Sequence, residues 1–180
     1  MIILKAKNNK YNNFFKNKKA FSLVEVMLYT AILSVFLLSM TSFINSVIQA
    51  KAKNRIILDV ERQGEYISSI IYEKIKNSQS INYPISSSNN SLSLNTNDSN
   101  LNPTVISIVD DKISIKEGTA PVVYLNSDNI IAENLVFTEN SFSASPENIS
   151  ATFTLRTDSM SNRAEFNYDQ DYFVNISRRY

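Results

Sequence analysis

The stretch Phe21–Ala50, FSLVEVMLYTAILSVFLLSMTSFINSVIQA, limits what this chain can fold into. It holds one charged side chain, Glu25, and no other charge follows until Lys51. A helix crosses a bilayer with about 20 apolar residues, so this stretch is long enough to span one. A carboxylate at its fifth position is costly in apolar surroundings and needs a partner. The flanks are basic. Residues 1–20 carry Lys5, Lys7, Lys10, Lys16, Lys18 and Lys19 with no acid, and Lys51, Lys53 and Arg55 follow the span. Basic residues bias a flank toward the cytoplasm, which predicts the N terminus inside and the C terminus outside.

Three processing schemes fit this region. Ala50-Lys51-Ala52 offers a secretory cleavage site, but the apolar run is about twice the usual 7–15-residue signal core. An uncleaved anchor accounts for the length and the flanks and gives Glu25 no role. Cleavage between Ala20 and Phe21 leaves the whole helix on the mature chain.

The residues Lys18-Lys19-Ala20-Phe21-Ser22-Leu23-Val24-Glu25-Val26 resemble the processing motif of type IV pilins and type II secretion pseudopilins. A basic leader, a small residue, Phe, Glu four residues after it and an apolar helix occur in the family's order. Ala20 stands where the family usually has Gly, and the proline common in the middle of the family's helix is absent. The resemblance implies that a prepilin peptidase cuts between Ala20 and Phe21, and that the freed Phe21 amine is N-methylated. It implies that Glu25 pairs with that amine, of its own or a neighbouring subunit, during filament assembly. The implied partners are other pilin or pseudopilin subunits, the peptidase, an inner-membrane assembly platform and the membrane before assembly. The stretch YLNSDNIIAENLVF and the ending VNISRR are also similar to minor-pilin heads, though more loosely.

After Ala50 the period stays helical. Ile56, Val60, Ile67, Ile71 and Ile75 form a stripe, widened by Ile57 and Ile70, with charges on the other face. One helix over 21–77 is expected, with two helices broken near residues 51–54 as the alternative. Gly64 should weaken it by about 1 kcal/mol relative to alanine. Residues 84–103, PISSSNNSLSLNTNDSNLNP, read as a surface loop with one short strand at Leu92 and Leu94. From Thr104 the period becomes two. Val105–Val109 and Lys112–Ile115 flank Asp110-Asp111, a hairpin signal without its favoured glycine. Val122–Leu125, Leu135–Phe137, Ala151–Leu155 and Tyr172–Ile176 supply further strands. The expected fold is α+β: a long N-terminal helix whose outer half packs on an antiparallel sheet of about four to six strands. The expected parts are a leader at 1–20, a membrane or filament-core half-helix at 21–50, an amphipathic half-helix at 51–77 and a head at 78–180.

The inventory narrows the chemistry. The chain has no cysteine and no histidine, which removes disulfides, thiolate sites and histidine-based catalysis. Two glycines leave no glycine-rich phosphate loop. Residues 21–180 hold twelve basic against seventeen acidic side chains, a net of −5, so no basic stripe for nucleic acid remains. Asp110-Asp111 and Asp169-Gln170-Asp171 read as turn and loop residues rather than calcium ligands, which number six to eight oxygens. Arg178-Arg179 reads as a surface pair. No catalytic residue, metal site or cofactor is expected. The function expected is that of a structural filament subunit, with a signal-anchored binding or adhesin domain that never polymerises as the alternative.

Overall fold

The computed structural model describes residues 21–84, 88–140, 148–158 and 166–177. The chain forms two compact units, Met1–Val47 and Ile48–Tyr180. Helix α1, Leu23–Lys76, is continuous over 54 residues, so the alternative of a break at 51–54 does not hold.

Within the first unit every described residue is exposed, including Phe21, Leu23, Leu28, Phe36, Leu38 and Phe43. An apolar helix surface that size is a membrane span or a buried element of a larger assembly. Its hydroxyls turn inward to the backbone. Ser34 donates to Thr30 O at 2.7 Å, Ser39 to Val35 O at 2.8 Å and Thr41 to Leu37 O at 2.8 Å. Polar groups satisfied within the helix cost little in hydrocarbon.

In the second unit α1 buries Val60, Gly64, Ile67, Ile71 and Ile75. These are the expected stripe with Gly64 filling the gap in it. The stripe faces two antiparallel sheets. The first has the order β1 (Ser80–Tyr83), β3 (Leu92–Asn95), β4 (Thr104–Val109), β5 (Lys112–Glu117), β6 (Val123–Tyr124). The second has the order β2 (Ser88–Asn89), β7 (Ile130–Glu139), β8 (Asn148–Thr157), β9 (Asp169–Ser177). The α+β class and the antiparallel pairing are as expected; the single sheet is not.

The reason is legible in the coordinates. β2 lies between β1 and β3 in sequence yet pairs with β7, through Ser88 opposite Thr138. After β6 the chain turns through Asn126, whose buried amide joins the two sheets. Its Oδ1 accepts from Ile113 N at 2.8 Å, and its Nδ2 donates to Ile130 O at 2.5 Å. Periodicity identifies strands; it does not say which neighbour each one takes.

The segment 84–103 is the second correction. Leu92, Ser93 and Leu94 are buried, and β3 is an interior strand between β1 and β4. The short strand at Leu92 and Leu94 is as expected; its polar neighbours hide its burial, and Ser93 is satisfied by Asn82 Nδ2 at 3.2 Å. The Asp110-Asp111 hairpin is as expected. Val109 pairs with Lys112, and both aspartates take positive φ, 51° and 58°. Aspartate tolerates that region better than most residues, which lets a glycine-poor chain make this turn.

Gly64 has a role that a helix-propensity argument does not reveal. A Cβ there would lie 2.0 Å from Tyr172 Cζ. The Tyr172 ring occupies that space, stacks on Phe153 with centroids 5.1 Å apart, and donates its hydroxyl to Val60 O at 3.1 Å. The missing side chain therefore lets β9 and α1 approach closely. Burial pushes the Tyr172 phenol up to about 12.

Gly64→Ala should destabilise the head by about 1–3 kcal/mol, the usual range for overpacking. Thermal melting of the full chain in detergent checks this, and an unchanged midpoint would contradict the close approach. Because the folded state favours the neutral Tyr172, its contribution to stability is complete below about pH 10 and fades as pH rises toward about 12. A spectrophotometric titration should show one late phenol that Tyr172→Phe removes; its persistence in that variant would count against the assignment.

Candidate assembly site

Ser22 opens α1. Its carbonyl accepts from Glu25 N at 3.0 Å and from Val26 N at 3.1 Å. Glu25 thus sits in the first turn, where the positive end of the helix dipole favours an acid. Phe21, Glu25 and Tyr29 are spaced by four and share one helix face. The Tyr29 hydroxyl donates to Glu25 Oε1 at 3.1 Å. The rings of Phe21 and Tyr29 meet edge to face, centroids 6.5 Å apart at 77°. The Tyr29 contacts were not foreseen; its spacing from Glu25 is the signal that could have shown them.

The sequence therefore brings Phe21 and Glu25 to one end of one helix, with Tyr29 touching both. Ala20 and the leader lie outside the described residues, as do Arg178 and Arg179. Asp169 and Asp171 are not in a loop as expected. They begin β9, where Asp171 Oδ1 accepts from Thr154 Oγ1 at 2.7 Å and Asp169 lies opposite Arg156.

In the second unit the charged contacts lie at the surface. Lys112 pairs with Asp128, which holds the lysine above and the aspartate below its ordinary value. Arg156 pairs with Glu133 at 2.6 Å, and Lys74 with Glu117 at 2.5 Å. Solvent screens pairs of this kind, so they contribute little to stability. Gln63 fixes the turn after β6: its Oε1 accepts from Ser127 N and its Nε2 donates to Ser127 Oγ, both at 2.9 Å.

Residues 15–41 match the prokaryotic N-terminal methylation motif. The match supports a prepilin of the type IV pilin or pseudopilin type. The match runs through Ala20, Phe21 and Glu25 into the apolar half of α1. No curated protein and no solved structure matches the chain. The motif supports a pilin-like or pseudopilin-like role for the chain. Its α1 contains a window of mean hydropathy 2.1, none of it buried, long and apolar enough to cross a membrane. With the motif, that supports a membrane-anchored chain with one such helix among its described residues.

Proposed function

We propose that this prepilin is a structural subunit, a minor pilin or pseudopilin, of a type IV pilus-like filament. The observation that carries the reading is a methylation motif leading directly into an exposed apolar half-helix, residues 21–50, whose only acid, Glu25, lies in its first turn. Prepilin peptidase cuts between Ala20 and Phe21, and the freed Phe21 amine is methylated and keeps its positive charge. The leader lies in the cytoplasm and the head outside, following the excess of lysine before the span. Residues 21–50 form the filament core, 51–77 the amphipathic half of the helix and 78–180 the head.

Glu25 selects the register. An unpaired charge in apolar surroundings costs about 3 kcal/mol or more. A neighbour that presents its Phe21 amine to Glu25 removes that cost for both groups. Slipped registers leave both unpaired. Tyr29 gives the carboxylate one donor while the subunit waits in the bilayer, and leaves its second oxygen open to the amine. The peptidase, other pilin or pseudopilin subunits and an inner-membrane platform are the partners. The subunit catalyses nothing and holds no cofactor or metal.

Intact mass of the purified protein should give an N terminus at Phe21 carrying one added methyl group. A chain that retains its leader would support the non-polymerising anchor instead, and one beginning at Lys53 would support ordinary secretion. Glu25→Ala should leave cleavage intact and lower incorporation into sheared filaments by roughly a hundredfold, since about 3 kcal/mol corresponds to that ratio. Incorporation equal to the parent protein would remove the role given to Glu25.

A further inference from the structure

The apolar run at 21–50 is about 45 Å long as a helix, close to the roughly 40–45 Å of a bilayer with its headgroup layers. Lys51, the first charge beyond that run, therefore meets the membrane surface. Lys51, Arg55 and Arg62 follow one another at intervals of four and seven, which puts them on one stripe of α1. All three are exposed. Lys53 is two residues from both Lys51 and Arg55 and falls on another side of the helix.

The stripe forms one wall of a groove of about 900 Å³ in the second unit. Asn129, Ile130 at the start of β7 and Asp158 just after β8 stand in the lining with it. The two acids of the groove are engaged with other groups. Asp59 Oδ1 accepts from Gln63 Nε2 at 3.4 Å. Asp158, after Glu133, helps to hold the Arg156 guanidinium above its ordinary value. Among the described residues Lys51, Arg55 and Arg62 have no ion pair. Asn54 on α1 and Asn129 on the facing wall add amide donors. The groove therefore offers cationic and neutral N–H donors with unmet capacity, beginning where the apolar run ends.

We propose that this groove binds the phosphate of a phospholipid headgroup, in the leaflet at the Lys51 end of the span. Lys51 and Arg55, one turn apart, hold the phosphate, and Arg62 keeps the upper end of the groove cationic. A guanidinium takes phosphate through two parallel N–H bonds, and a lysine beside it adds a point charge. Basic groups next to a span are the usual recognition device for lipid phosphate. The acyl chains then lie below Lys51, beside the apolar run. The site needs a chain resident in a membrane, so it rests on that half of the reading above and not on polymerisation.

The full chain, extracted in mild detergent and supplied with phosphatidylglycerol, is weighed intact by native mass spectrometry. Lys51→Gln with Arg55→Gln should strip one bound phosphatidylglycerol per chain, its occupancy falling about tenfold or more. Lys53→Gln with Lys76→Gln removes the same two charges from outside the groove and should strip none. A diacylglycerol glycolipid, which keeps the acyl chains and lacks the phosphate, should not occupy the site. Soluble glycerol phosphate at equal concentration should not displace the lipid. Occupancy by the glycolipid, displacement by glycerol phosphate, or an equal loss in the Lys53→Gln, Lys76→Gln chain would overturn the proposal. So would a chain dimer that the Lys51→Gln, Arg55→Gln pair abolishes while lipid binding stays unchanged, since the groove would then belong to a second copy. Filaments recovered from a chain that binds no lipid at the groove defeat the site and leave the proposed function standing. Lipid held by a chain that keeps its leader and forms no filament does the reverse.

Discussion

The apolar surface of the described residues 21–47 is exposed and must be kept from water. Burial of apolar area is worth about 25 cal/mol per Å², so an exposed face of this extent is untenable in solution. Lipid and neighbouring helices of the same kind are the two surroundings that meet the requirement. The backbone-satisfied hydroxyls at Ser34, Ser39 and Thr41 suit both. The methylation motif at residues 15–41 supports a membrane helix of the prepilin type.

The second unit solves a different problem with few special residues. The chain has two glycines, and each sits where a side chain would collide with a neighbour. At Gly118, with φ +51°, a Cβ would lie 2.1 Å from Asn100 O. Gly64 makes room for Tyr172, so its cost to helix propensity is offset by packing of the ring against α1 and Phe153. Turns that other proteins assign to glycine fall to aspartate and asparagine. Asp110 and Asp111 close a hairpin, and Asn134 with φ 55° sits at the bulge of β7. Asn126 goes further and supplies the buried link between sheets.

What was legible in the sequence follows from this division. The helix, its isoleucine stripe, the Asp110-Asp111 hairpin and the alternating strands at 151–155 and 172–176 all carry a strong period, and each lies where the pattern places it. The short strand at Leu92 and Leu94 was expected, but its interior place was hidden, because its leucines are set among serines and asparagines and buried Ser93 is satisfied by Asn82. The pairing of β2 with β7 depends on contacts 50 residues apart, which no local pattern encodes. At the start of α1, Phe21 and Glu25 were picked out by the resemblance of residues 18–26. The Tyr29 bridge needed side-chain geometry to be seen.

Burial of apolar helices is non-directional: it rewards contact without choosing a neighbour or a register. The first unit is apolar on every side, so helix burial alone would yield bundles of many offsets. Direction has to come from the few groups that penalise a wrong offset. Under the proposed function, Glu25 does so within the core, because each slip of the helices separates a buried acid from its cation. A single charge pair fixes the axial offset and leaves rotation between subunits loosely defined.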